Sequence, residues 1–351
     1  MSSPWPVSWT GWGPYMPPGY HMIWGWRIAA AVFLTALGSM AMLLAAFYDV
    51  RMKAGRMVKI NITAGWIFIL AALAFFIIDL GRPERAGNII FIGYPHGRLA
   101  QSWMDWGVLF LSGMVIWGLI YLFFLYTPSI VVSIFKTRVR LARLVLDYLV
   151  MLTGIAATIY TAFLFAAAGG KSFWWNGALP ILWLSSGLGY GAAWSLLVTR
   201  FFEVPTRVKT DGGAVTAFSV EELRDILHEL SWIDLLAVVF EAFSWALFLT
   251  VAYANHYEAR IPLTQLLLQT YAPYFWGFVI TLGIAIPLLL EIALLRVDPL
   301  GNFAKWAIPV IFIAVMVGGY TLRYIVIAVA YYYAPFTPLT HASPQWGPWW
   351  G

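Results

Sequence analysis

Eight stretches of this chain stay apolar for close to the ~20 residues that a bilayer core requires of a helix, and this repetition constrains the fold more than any single motif. They run roughly through 24–47, 60–79, 104–126, 144–168, 179–201, 232–254, 271–295 and 306–333. Inside hydrocarbon a backbone N–H or C=O has no water to bond, so each segment is expected to satisfy itself as a helix. The expected fold is all-α: a polytopic membrane protein of eight transmembrane helices, grouped as two four-helix bundles. Composition agrees, since 62% of the 351 residues are hydrophobic and 11% charged, against about 45–50% and about 25% in a soluble domain.

The charges between the segments alternate. Loops after the first, third, fifth and seventh segments hold Arg51, Lys53, Arg56 and Lys59; Lys136, Arg138, Arg140 and Arg143; Arg207, Lys209 and Arg224; Arg296 and Lys305. The opposite loops hold only Arg82, Arg85, Arg98, Lys171 and Arg260. Because basic loops stay inside, both termini are expected on the outer side of the cell membrane. Residues 1–23, rich in Pro, Gly, Trp and Tyr, read as an outer arm, 24–333 as the membrane domain, and 334–351 as a Trp- and Pro-rich outer tail. The first twenty residues lack a basic region followed by an apolar run, so no cleavable signal peptide is expected. The +5 formal charge is modest; lipids rather than nucleic acid are the expected surroundings.

Two local patterns add detail. Ser219 and Glu222 form a capping box, and Val220, Leu223, Ile226, Leu227 and Leu230 share one stripe. An amphipathic helix over 219–230 is therefore expected to lie flat on the inner surface before the sixth segment turns inward. Ala31, Thr35 and Ser39 recur every four residues on the first segment, a spacing that suits close helix packing.

Chemistry concentrates at charged residues that the bilayer should disfavour. The stretch Phe75–Arg85 ends an apolar segment on Asp79 and turns at Gly81 and Pro83, which resist continuing the helix. An Asp in the last turn of a membrane helix is costly unless it is wetted, paired or used; a solvated helix end with anchoring arginines would explain the same residues. On the sixth segment Asp234 is shallow from the inner side and Glu241 is roughly 15 Å deep, on one helix face because seven residues separate them. Asp147 and Glu291 also sit toward the inner side. Arg323 lies roughly 25 Å along the eighth segment and cannot shed its charge. These five are candidates for a proton path, or for polar contacts that pin the bundle.

With no Cys, the chain cannot hold an iron–sulfur cluster through its own thiolates. His21, His96, His228, His256 and His341 all lie in loops, tails or at helix ends, so facing haem ligands are not expected. The outer ends of the first four segments instead collect His21, Arg27, Asp79, Arg82, Trp103, Asp105 and Tyr160. Hydrogen-bonding groups beside large aromatic surfaces suit an amphiphilic ligand with a polar head and an apolar tail. A quinone fits, because its carbonyls need donors and its oxidation needs proton acceptors. A transporter cavity would look the same, with an ion path along the Asp234/Glu241 face. A passive assembly anchor would account for the aromatic arms but not for the buried acids.

The chain resembles the NrfD/PsrC family, the membrane subunits of polysulfide reductase-like respiratory complexes. Four stretches in order carry the resemblance. Trp24-Gly25-Trp26 opens the first segment; Asp79 to Arg85, reading Asp-Leu-Gly-Arg-Pro-Glu-Arg, closes the second. Ser102 to Gly107, reading Ser-Trp-Met-Asp-Trp-Gly, opens the third. Tyr160 to Leu164, reading Tyr-Thr-Ala-Phe-Leu, precedes Phe173-Trp174-Trp175-Asn176 and Leu179-Pro180. The first half of the chain is covered this way; the second agrees in helix count and polarity.

The resemblance implies an eight-helix subunit that oxidises menaquinol or another quinol near the outer face. It would have no redox metal of its own, passing electrons to a ferredoxin-like iron–sulfur partner and on to a molybdopterin catalytic subunit outside. By the same similarity His21 and Tyr160 would be quinone partners, with Asp79 nearby. Arg85, Arg98, Trp174 and Trp175, with the tails, would form the docking surface. The chain departs from the family at Asp105, where Ser is frequent, and at Ala162, where Gly is usual. The terminal substrate, sulfur, polysulfide, thiosulfate or tetrathionate, would be set by another polypeptide.

Overall fold

The computed structural model describes residues 24–51, 55–80, 83–96, 102–168, 171–203, 219–255 and 257–331. Its helices are α1 Trp26–Val50, α2 Arg56–Asp79, α3 Trp103–Tyr126, α4 Pro128–Phe135, α5 Val139–Ala166, α6 Leu179–Phe202, α7 Val220–Asn255, α8 Tyr257–Leu268, α9 Ile286–Leu294 and α10 Asn302–Val329. A twelve-residue π-helical stretch, Tyr274–Ala285, leads directly into α9. Eight helical spans are long and apolar enough to cross a membrane, α4 with α5 forming one and the π stretch with α9 another. No strand occurs among the described residues. The chain is a multi-pass membrane protein, and the eight expected segments correspond one to one with these spans.

Trp24, just ahead of α1, donates its backbone N–H at 2.8 Å to the hydroxyl of Tyr331, just past α10. We call this end of the bundle the terminal face. Trp24 also stacks on Trp174 at 5.5 Å, and the Trp174 indole N–H bonds the Val326 carbonyl at 2.9 Å. At the opposite face Glu203, just past α6, accepts the Met57 N–H at 2.6 Å, occupying one of the donors that a helix start leaves free. Burial pushes the Glu203 carboxyl above its ordinary range against the pull of that N–H.

α1 is the central helix, packed against α2, α5, α6 and α10. Small residues let the backbones meet: a Cβ at Gly38 would lie 2.7 Å from the Gly65 carbonyl of α2, and one at Gly154 of α5 would lie 3.1 Å from the Ser39 carbonyl. Ala31, Thr35 and Ser39 are fully buried, as their spacing predicts. Such contacts hold membrane helices together by dispersion at close range, since lipid supplies no hydrophobic drive between them. Around them α2, α3 and α5 pack in sequence, as do α6, α7, α9 and α10. Outward-facing Ile67, Ile116, Leu152, Leu236, Phe243 and Leu289 are more than half exposed, as a lipid-facing surface requires.

The capping box at residue 219 forms: the Ser219 N–H donates to Glu222 Oε2 at 2.8 Å, and the Glu222 N–H to Ser219 Oγ at 3.0 Å. The helix it starts does not lie flat on the membrane as expected. It runs unbroken into the sixth span as α7, and Leu223, Ile226, Leu227 and Leu230 are buried in the protein core. The stripe is an intramolecular packing face, and amphipathicity alone does not say whether lipid or protein meets it. Pro309 is accommodated inside α10, whereas Pro287 sits in the first turn of α9, where π turns give way.

Candidate functional site

At the terminal face α3 and α5 meet along a seam that follows helical spacing. Trp103, Gly107 and Phe110 stand at i, i+4 and i+7 on α3; Tyr160 and Phe163 stand three apart on α5. Trp103 stacks on Phe163 with centroids 4.5 Å apart and an interplanar angle of 13°, and Phe110 lies 6.3 Å from Tyr160. Between them the Tyr160 ring fills the notch that Gly107 leaves: a Cβ there would lie 2.1 Å from Tyr160 Cε2. Tyr160 is 4% exposed, so one polar hydroxyl is carried into an aromatic wall.

The acids expected beside it stand at the same end of the bundle, on α2 and α3. Asp79 is the last residue of α2 and only partly shielded; Arg27, in the first turn of α1, is near enough to act on its charge. Asp105, two residues past Trp103, projects about 200° around α3 from it and is buried. Its backbone carbonyl accepts the Tyr94 hydroxyl at 2.8 Å. Burial, then the Asp105 charge, raises the Tyr94 phenol above its ordinary value. Among the described residues no hydrogen bond joins Asp79, Asp105 and Tyr160 to one another. The structure thus brings Trp103 and Tyr160 into one seam, and sets Asp79 and Asp105 on separate helices. His21, Arg82 and Arg98 lie outside the described residues, as do both tails.

Trp174 departs from its expected place in the docking surface. It is 2% exposed, stacked on Trp24 and bonded to α10, so it pins the fold from within. Trp175 beside it is 49% exposed and Arg85 is exposed. The indole of Trp174 finds a carbonyl to bond inside the bundle, a circumstance that tryptophan abundance cannot reveal.

Of the buried ionisable residues, four assemble. The Asp234 and Glu291 carboxyls face each other beside Ser231, without completing a well-aligned hydrogen bond. One face of α7 carries Asp234 and, two turns on, Glu241, both buried. Glu241 is near enough to Arg323 of α10 for their charges to interact. The Arg323 guanidinium lies 4.1 Å from the Trp183 ring centroid and 5.5 Å from that of Tyr190, and donates through Nη2 to the Trp183 carbonyl at 3.0 Å. Its Nε and Nη1 lack a hydrogen-bond partner among the described residues.

Asp147 is not part of this group. It belongs to a second cluster, with Asp49 at the end of α1, Tyr121 on α3 and Arg143 on α5, which sequence reasoning assigned to loop charge. Asp49 carried the same signal as Asp79, an acid in the last turn of an apolar helix. Among the described residues no three His, Asp or Glu side chains converge as metal ligands would.

Residues 17–335 match the family described as "Polysulphide reductase, NrfD". Among similar proteins is the C polypeptide of polysulfide reductase from Wolinella succinogenes, 26% identical over 295 residues, which span 78% of this chain and 84% of that one. The C polypeptide of selenate reductase from Mesobacillus selenatarsenatis is 26% identical over 297 residues, spanning 76% of this chain and 66% of that one. The family match runs from before the first span to beyond the last, through the α3–α5 seam and the buried acids alike. The chain belongs to the NrfD polysulphide reductase family.

Proposed function

We propose that this protein is the quinone-interacting membrane subunit of a respiratory reductase complex. It oxidises menaquinol or another quinol at the terminal face, which the distribution of Arg and Lys makes the outer face of the cell membrane. The observation that carries this reading is the Tyr160 hydroxyl set in the aromatic α3–α5 seam within a chain of this family.

The residues present fit such a ligand. Tyr160 offers a hydroxyl donor to a carbonyl, and Trp103, Phe163 and Phe110 offer flat apolar surface. Asp79, at the same end, is suited to receive protons, with His21 from the arm and Asp105, on the far side of α3, as further acceptors. A bound quinol supplies two electrons and two protons. Arg27 is near enough to Asp79 for their charges to interact, which favours release of a proton from that carboxyl to the outer water. The electrons pass to an iron–sulfur partner, which continues to a molybdopterin subunit. Arg85 and Trp175 mark the docking surface, with Arg98 and the Trp-rich tails. Asp234, Glu291 and Glu241 form an inner-side route by which protons reach the quinol level.

Tyr160→Phe removes one hydroxyl donor, worth roughly 0.5–1.5 kcal/mol, so quinol KM and inhibitor Kd are expected to rise about 2- to 10-fold. His21→Ala should lower quinol oxidation further. Wild-type quinol oxidation and inhibitor binding in both variants would sink the site.

A further inference from the structure

Near the opposite face, one hydroxyl joins two carboxyls. Tyr121 Oη lies 2.6 Å from Asp49 Oδ2 and is in hydrogen-bond contact with Asp147 Oδ1. Arg143 grips Asp49 at both oxygens, Nη2 donating to Oδ1 at 2.6 Å and Nε donating to Oδ2. A phenol has one proton to give, so two ionised carboxylates cannot both be satisfied by it. One of the acids must itself donate to the phenol oxygen. Asp49 accepts two N–H bonds from a guanidinium that stays charged, so protonating it would strand Arg143. Asp147 has no cation of its own among its hydrogen bonds and is 2% exposed; an ionised Asp147 would also face the Asp49 charge across a single oxygen.

We propose that Asp147, Tyr121 and Asp49 form a proton-holding relay in which the proton rests on Asp147, because the two Arg143 hydrogen bonds favour the ionised form of Asp49. Asp147 donates O–H to Tyr121 Oη, and Tyr121 donates O–H to Asp49 Oδ2. Shifting both protons by one hydrogen bond moves the charge without a net change: Asp147 becomes ionised, Tyr121 keeps one proton, and Asp49 gains one. Asp147 and Asp49 are both buried, and the Arg143 side chain, 35% exposed, covers the Asp49 end of the relay. The groups that face this relay are Asp49 from α1, Tyr121 from α3, and Arg143 and Asp147 from α5. The relay stands apart from the Asp234–Glu291 pair, and it holds its proton whether or not quinol is oxidised elsewhere.

The test is infrared spectroscopy of the full chain in lipid nanodiscs at neutral pH, without quinol, with aspartate carboxyls labelled in carbon-13. Wild type should show an isotope-shifted carboxylic-acid C=O band from Asp147. Asp147→Asn should remove it, and Asp49→Asn should leave a protonated Asp147 band in place. Tyr121→Phe keeps the ring but removes the acceptor, so the same band should move to higher frequency as its hydrogen bond is lost. A band population unchanged by Asp147→Asn, or unmoved by Tyr121→Phe, would overturn the proposal. If the asparagine variant does not fold, the Tyr121→Phe shift alone decides. Because no redox step is involved, failure here and failure of the quinol reading are separate results.

Discussion

Replacing Gly107 with Ala adds a single methyl group at the point where the candidate site is tightest. The new Cβ would lie 2.1 Å from Tyr160 Cε2, 2.7 Å from Cζ and 2.8 Å from Cδ2, while carbon atoms in contact prefer about 3.5–4.0 Å. The ring must therefore move by more than about 1 Å to restore contact distance, or α3 and α5 must part. Overpacking of this kind costs about 1–3 kcal/mol, and a hydroxyl shifted that far no longer meets a ligand carbonyl at about 2.7–2.8 Å. Gly107→Ala should thus lower inhibitor affinity about 2- to 10-fold, as Tyr160→Phe does. In a Tyr160→Ala background the space is free and the methyl group should cost under about 0.5 kcal/mol. Unfolding free energies from detergent titration of the four proteins give the coupling, expected near the overpacking cost of about 1–3 kcal/mol. Additive effects, or wild-type inhibitor binding in Gly107→Ala, would refute the argument that this seam positions the Tyr160 hydroxyl.

Glu241→Gln should separate two roles for the acid near Arg323: a static pair loses roughly 3–5 kcal/mol because Arg323 is left buried with its charge uncompensated. A relay keeps its fold but loses proton uptake from the inner side in reconstituted vesicles, and wild-type uptake in both Glu241→Gln and Asp234→Asn would remove the proposed route. Deleting residues 341–351 should release the iron–sulfur partner on detergent purification, whereas retention of the full complex would leave the tail as a lipid anchor. Asp298 is held below its ordinary carboxylate range, first by the Arg224 guanidinium and then by the Leu300 N–H. Its contribution to stability is therefore present above the ordinary range and lost as pH falls through the lowered value. Asp298→Asn should flatten the thermal-stability profile over that acid window, and an unaltered profile would contradict this.

The fold was legible because a bilayer admits so few solutions: eight runs of the right length are eight spans, and small residues at Ala31, Thr35 and Ser39 mark the face of the helix at the centre. What periodicity could not tell was who meets a face. The stripe from Leu223 to Leu230 had the pattern of a surface helix, yet the core covers it. Trp174 was expected on the docking surface and is an internal strut. The candidate site was half legible. Counting along helices sets Asp79, Asp105 and Tyr160 at one end, but their separation around α2, α3 and α5 depends on helix rotation, which short motifs do not encode. Asp49 and Arg143 were hidden by the loop-charge rule, which counts basic residues without asking whether an acid on another helix has claimed them. Gly107 was visible only as part of a motif, and its reason, the ring of Tyr160, lies 53 positions away in sequence.

The central claim is that quinol is oxidised against the α3–α5 seam at the terminal face. A photoactivatable quinone, crosslinked to the purified complex and mapped by peptide mass spectrometry, tests it most directly. Labelling is expected in the peptides that carry Trp103–Phe110 and Tyr160–Phe163, suppressed by excess quinol and reduced in Tyr160→Phe. Labelling confined to α7, α9 and α10, with none in α3 or α5, would contradict it.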